Sequence, residues 1–331
     1  MSKQKAYIWI SILLFCIPIF GIADLMIGEI SIPIKDCFNA LFNYDDNSVN
    51  HIIIHEFRIP RMVMAILAGA ALAVSGLLMQ TLFNNQLAGP YVLGINSGAS
   101  LFIGLFILTG FQFFNTEHGM LFSALLGAFI LGIIMLICSL FVRSNLSLLL
   151  IGIMLSSFMG AIINLMETFA ESEKLKGFFF WSMGSLQRVE FSQLSWIIII
   201  ILIALIFSFT IVKPLNTLVI GEEQSQILGI KIKQVRLSCI AITAILTGTI
   251  TAYCGPIAFL GLAVPNLSKI IFKTQDHKIL LFVNIFLGAT FMLLCDILIQ
   301  MLESMVLIPV NVLTSLIGAP FIIYLVIRKK S

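Results

Sequence analysis

Leu82-Phe-Asn-Asn-Gln-Leu-Ala-Gly-Pro-Tyr-Val-Leu-Gly-Ile-Asn-Ser-Gly98 is the stretch on which the fold turns. It joins two apolar runs, Met62–Phe83 and Val92–Phe111, through the uncharged residues Asn84, Asn85, Gln86, Gly89 and Pro90. A Gly-Pro step at such a place ends one helix and lets the chain re-enter a short Gly-rich one. Irregular backbone at membrane depth survives only where protein or water covers it, because lipid offers no partner to a bare N–H or C=O. A matching break stands at Tyr253-Cys-Gly-Pro-Ile-Ala-Phe-Leu-Gly-Leu-Ala-Val-Pro265. Each follows a helix rich in small residues, such as Ala68-Gly69-Ala70-Ala71, and precedes a short one. Small residues let neighbouring helices approach closely. Interruptions at corresponding places in two halves mark inverted repeats, here helices 2–5 and 7–10.

Composition makes the bilayer the solvent. Of 331 residues, 60% are apolar and only 11% charged, and the mean hydropathy is +1.09. Soluble domains carry about 25% charged residues, enough to cover an apolar interior; this chain does not. A spanning helix needs about 20 mainly apolar residues. Long runs occur at Tyr7–Ile27, Met62–Phe83, Leu121–Val142, Leu146–Met166, Leu194–Val212, Ile279–Leu298 and Ile308–Ile327. Shorter or Gly-broken runs occur at Val92–Phe111, Leu237–Tyr253 and Ile257–Phe272. The expected fold is therefore an all-α polytopic membrane protein of about ten transmembrane helices, with residues 1–331 as a single transmembrane domain. Lys3 and Lys5 precede the first run, and Gly21-Ile22-Ala23 has the small-x-small form of a signal cleavage site. The run continues to Ile27, which favours a retained first helix.

Orientation follows from the 19 Lys and Arg. With an even number of helices and the N-terminus inside, only Lys35, Arg58, Arg61, Lys174, Lys176 and Arg188 fall outside. Both termini are then expected to be cytoplasmic. Asp296 is the only acid well inside a later apolar run. A proton relay is one reading of it; a helix-end anchor or an interhelical hydrogen bond is the preferred one. With no row of such charges, the sequence gives no case for a proton- or sodium-coupled carrier. The driving energy must then come from a partner.

Little else suggests chemistry. The six cysteines show no CxxC spacing and read as small hydrophobes. His51, His55, His118 and His277 look loop-placed and isolated, as surface histidines. There is no Walker lysine loop, no metal-ligand cluster and no nucleophile–base set, so no catalytic, cofactor or metal residue is expected. The basic residues are scattered, without the tract that nucleic acid would require. The connection of residues 213–236 contains a short amphipathic piece between Gly221 and Gly229, with Ile227 and Leu228 on one side. It suits a surface connector, or a helix seated in a groove on a cytoplasmic subunit.

These residues together resemble the FecCD family of binding-protein-dependent permeases, which includes siderophore, haem and vitamin B12 importers. The likeness spans nearly the whole chain. It rests on Arg58-Ile-Pro-Arg61, Gly69-Ala-Ala-Leu-Ala-Val-Ser-Gly76, Leu82-Phe-Asn-Asn-Gln-Leu-Ala88 and Leu93-Gly-Ile-Asn-Ser-Gly98. Trp181-Ser-Met-Gly-Ser-Leu186, Gly255-Pro-Ile-Ala-Phe-Leu-Gly-Leu262 and Leu316-Ile-Gly-Ala-Pro320 complete it in order. The resemblance implies the type II importer fold in the cytoplasmic (inner) membrane, as a homodimer surrounded by lipid. It implies two cytoplasmic ATP-binding subunits, which hydrolyse ATP, and an extracytoplasmic substrate-binding protein. It assigns docking of that protein to Arg58 and Arg61, as an exposed pair whose attraction salt would screen. It assigns ATPase coupling to Gly221, Glu222, Glu223, Ile227, Leu228 and Gly229, and the cytoplasmic gate to Asn85, Leu87, Asn145 and Leu146. The implied activity is import of an iron chelate, first an iron–siderophore, by alternating access. Haem or cobalamin import is the alternative, and a secondary carrier the runner-up. The chain departs from the family pattern at Gln300, at Leu307-Ile-Pro-Val-Asn311, and at Asn266 and Lys269.

Overall fold

The computed structural model describes residues 3–28, 30–45, 47–91, 93–110, 118–142, 145–303, 306 and 308–328. The described residues form helices and connecting loops. The chain enters through α1 (Lys3–Met26), two short helices α2 (Ile34–Phe42) and α3 (Val49–Ile53), and α4 (Ile59–Leu82). Past the first break come α5 (Ile95–Gly104), α6 (Gly119–Phe141), α7 (Asn145–Phe169) and α8 (Ser172–Met183). Then follow α9 (Phe191–Thr210), α10 (Val212–Leu218), α11 (Glu222–Ile227) and α12 (Ile232–Cys254). Past the second break, α13 (Leu260–Phe272), α14 (His277–Glu303) and α15 (Val310–Arg328) complete the bundle.

Among the described residues, six helices are long and apolar enough to cross a membrane: Val49–Leu82, Gly119–Phe141, Leu146–Phe169, Phe191–Thr210, Ile232–Cys254 and His277–Glu303. The other four predicted spans fall on the shorter apolar helices Ser11–Met26, Ile95–Thr109, Leu260–Phe272 and Val310–Tyr324. Pro60 lies at the second residue of α4, Ile59–Leu82. It does not begin the helix. A π-helical turn, Ile54–Arg58, carries α3 directly into α4.

Helix α4 is the axis of the bundle, buried over nearly its whole length. Lipid tails are as apolar as leucine, so helix association here depends on close packing rather than on water exclusion. Gly69 of α4 lies against Gly288 of α14, and a Cβ on either would strike the carbonyl of the other. Gly76 meets Gly261 of α13 more closely still, with the Gly261 carbonyl where a Cβ would stand. Partners recur in pairs. Helix α4 packs on α14 as α12 packs on α6; α4 meets α13 as α12 meets α5. Contacts of α5 with α6 and α7 are repeated by those of α13 with α14 and α15.

Candidate functional site

The two breaks, far apart in sequence, meet inside the bundle. Gly89 and Pro90 of the first stand against Gly261 and Leu262 at the end of the second. Polar side chains close the gap that the missing helical bonds leave. Asn266 donates to the Gln86 carbonyl at 2.9 Å, and Lys269 donates to Gln80 Oε1 at 2.9 Å. Both are departures from the family pattern, and both bind beside the first break. Asn311, a third, accepts the Ala258 N–H at 3.1 Å within the second break. Between them Thr251 donates to Asn96 Oδ1 at 2.5 Å. The sequence resembling Trp181-Ser-Met-Gly-Ser-Leu186 also serves this region: Trp181 Nε1 donates to the Ala252 carbonyl, and the Ser185 N–H to that of Cys254.

At one end of α4 lies a buried charge network. Arg61 Nε donates to Asp296 Oδ1 and Oδ2 at 3.0 and 2.8 Å, and Arg61 Nη1 to Glu303 Oε2 at 3.1 Å. Gln187 holds the other oxygen of Glu303 at 2.8 Å. Gln300 donates to Asp296 and, at 2.7 Å, to Asp24 of α1. Asp296, Gln300 and Glu303 share one face of α14 because residues three and four apart do so on any helix. Arg58 caps the carbonyls of Leu25 and Ile30. This corrects the expectation of an exposed arginine pair: Arg58 and Arg61 are each only 8% exposed and are bonded within the chain. They line a cavity of about 490 Å³ together with Gln187, Gln300 and Glu303. Asp296 is fully buried as half of an interhelical ion pair. The i, i+4, i+7 spacing of Asp296, Gln300 and Glu303 was the sequence signal for this face. Nothing local in the sequence names Arg61 as their partner.

The opposite end of α4 carries the Gly-bracketed segment. Helix α11 begins after Gly221, whose φ is +128°, and Gly229 follows it with φ +81°. Ile227 and Leu228 project from it, 86% and 63% exposed. Glu222 is bonded to Arg236 of α12; Glu223 is exposed. Of the expected gate residues, Asn85 accepts the Leu87 N–H at 2.9 Å, and the Leu87 side chain is exposed. Leu146 is exposed in the first turn of α7; Asn145 opens that helix, and its side chain lies outside the described residues.

Two histidine expectations are corrected. His277 is not a surface residue: it opens α14 fully buried, within 2.7 Å of Thr81 Oγ1 and 2.8 Å of Asn216 Oδ1. It thereby joins α4, α10 and α14. His51 lies buried in α3 and accepts the Asp45 N–H. The cysteines are unpaired and mostly buried; burial pushes the Cys37 thiol up, so it stays protonated and behaves as a small hydrophobe.

Comparison with known proteins fits this arrangement. The model of the FecCD transport family matches residues 13–328. The chain belongs to the FecCD transport family. It is 34% identical over 334 residues to the hemin transport system permease protein HmuU of Yersinia pestis, covering 99% of this chain and 98% of that protein. It is 32% identical to the vitamin B12 import system permease protein BtuC of Vibrio vulnificus, over 92% of this chain and 89% of the other. The iron-uptake system permease protein FeuB of Bacillus subtilis is 30% identical over 99% and 98%. A solved metal-chelate type ABC transporter in an inward-facing conformation superposes with a TM-score of 0.82 at 29% identity, covering 98% of this chain and 99% of that one. Like these FecCD relatives, the chain is a multi-pass membrane permease of ABC-transporter type.

Proposed function

We propose that this FecCD permease is the membrane subunit of an ATP-driven importer of metal chelates, working by alternating access as a homodimer. The observation that carries the reading is the pair Ile227 and Leu228, held out into solvent on a helix between two glycines. Adjacent large apolar side chains held out of a short connection suit a covering partner. A groove on a cytoplasmic ATP-binding subunit is that partner. Replacing both by Ser should release the ATP-binding subunits during purification and abolish transport, while the permease itself stays folded. Retained subunits and normal transport would reject the assignment.

The recurring helix partners described above support two inverted repeats, α4–α7 and α12–α15. Two such repeats, inverted with respect to each other, suit a two-gate mechanism. Asn85, Leu87, Asn145 and Leu146, at the α11 end, form the cytoplasmic gate in this reading. The docking of a binding protein at the other end takes a form different from simple surface attraction. An acidic side chain of that protein would enter the cavity over Arg58 and Arg61 and meet Glu303 as a competitor for Arg61.

The cargo is an iron chelate. A pathway with few charges suits bulky ligands whose metal charge is shielded, and an iron–siderophore is the first reading. Haem is the second, favoured by the 34% identity to HmuU across nearly the whole chain. Titrating the cognate binding protein with ferric siderophores, haemin and cobalamin separates them. Tightest retention of a siderophore is expected; retention of haemin alone would move the assignment to haem.

A further inference from the structure

We infer that Arg236 is a positioning residue that ties the coupling helix to the gate. This inference rests on the proposed role of α11 and extends it into the membrane.

Helix α11 has six residues, and glycines with positive φ flank it on both sides. Two turns with glycine at positive φ set α11 apart from α10 and α12. A side chain crosses the second of them. Arg236 Nη2 donates to both carboxylate oxygens of Glu222, at 2.7 and 2.9 Å. Its Nη1 points the other way, to the carbonyl and hydroxyl oxygens of Ser139 at 3.4 and 3.2 Å. Ser139 lies in the last turn of α6, and that helix runs into the connection preceding Asn145 and Leu146 at the start of α7. One guanidinium therefore bridges the coupling helix and the last turn of α6, in a cleft that Leu148, in the first turn of α7 with Leu146, also lines.

The surroundings make the bridge stiff. The Arg236 side chain is only 17% exposed, whereas Glu222 is 47% exposed. Leu82 and Phe83 at the end of α4, Leu136 of α6, Leu148 of α7 and Ile240 of α12 line the cleft around the pair. The planar guanidinium can serve two partners on opposite edges at once, which an ammonium on a single nitrogen does not match. Movement of α11 relative to α12 must then either carry the end of α6 with it or break a charge-assisted bond. The first outcome links ATP-driven motion to the gate.

The test uses the complete transporter, permease with its ATP-binding subunits and binding protein, in proteoliposomes. Glu222→Gln, Arg236→Gln and the double variant are compared for retained ATP-binding subunits, ATP hydrolysis and chelate delivered per ATP. Arg236→Gln should keep its subunits and its hydrolysis while delivery per ATP falls at least about five-fold, the lower range of an allosteric coupling energy; Glu222→Gln, in the docking segment itself, is read for a matching fall in delivery per ATP. The double variant should be no worse than the poorer single one, because both remove the same link. Unchanged delivery per ATP in the single variants, or losses that multiply in the double, would overturn the inference. Should Arg236→Gln fail to fold, Arg236→Lys serves instead. It retains the charge beside Glu222 but not the second arm, so full delivery per ATP in that variant would equally overturn it. The Ile227→Ser/Leu228→Ser variant separates the two levels. Subunits still bound there would refute the seating of α11, whereas subunits lost there and kept in the Arg236 variants isolate the clamp.

Discussion

Gly76→Leu is expected to prevent the bundle from assembling, leaving little or no monodisperse permease after extraction. The carbonyl of Gly261 occupies the space that any Cβ at position 76 would need. Over-packing a core ordinarily costs about 1–3 kcal/mol, because side chains can move aside. Here the obstacle is backbone, in α13, whose position is also fixed by Pro90 against Gly261 and by Asn266 on Gln86. Separating α4 from α13 would therefore open the contact between the two breaks. Even Gly76→Ala should lower the thermal midpoint in detergent by several degrees. At Gly160, where a Cβ would meet nothing within 4 Å, Ala should have no measurable effect. Equal stability of Gly76→Ala and Gly160→Ala would show that the crossing is not tight.

Asp296→Leu is expected to produce the next largest loss, about 3–5 kcal/mol, as when one member of any buried ion pair is removed. An ordinary hydrogen bond between membrane helices contributes only about 0.6 kcal/mol. The larger figure applies because Arg61 would keep its charge with Glu303 alone, and Glu303 is shared with Gln187. Arg61→Leu should be comparably damaging, since it leaves Asp296 fully buried without its cationic partner. Combining Asp296→Leu with Arg61→Leu should recover much of the stability, because two apolar groups replace two compensated charges. Thermal unfolding of the three variants in one detergent measures this directly. A double variant as unstable as the sum of the singles would mean that the pair is not a closed unit. Charge reversal at Arg61 should act through the same network, so a docking defect measured with it would first need evidence that the protein is folded.

The ten apolar runs, the two breaks and the Gly-bracketed segment could all be read from residues 1–331, because each is a local pattern of hydropathy or backbone permissiveness. The shared face of Asp296, Gln300 and Glu303 has an i, i+4, i+7 spacing in the sequence, but it is the structure that brings it out. Exposure was the property that local pattern misjudged. Arg58 and Arg61 lie beside a proline at the predicted edge of a span, where a charged side chain ordinarily reaches water. They are buried because the carbonyls of Leu25 in α1 and of Ile30 beyond it, and the carboxylates of Asp296 and Glu303 in α14, come around them. His277 was misread for the same reason: its partners Thr81 and Asn216 come from α4 and α10.

What the sequence by itself determined is therefore the membrane, the broken helices and the Gly-bracketed piece with Ile227 and Leu228 on one side, since composition and short-range spacing suffice for those. Only the tertiary structure decided which charges are paired, that the two breaks meet, and that Arg236 faces both Glu222 and Ser139. Those are contacts between segments tens to hundreds of residues apart. In a bundle held by close backbone approach, their geometry is set by where the glycines of one helix meet those of another.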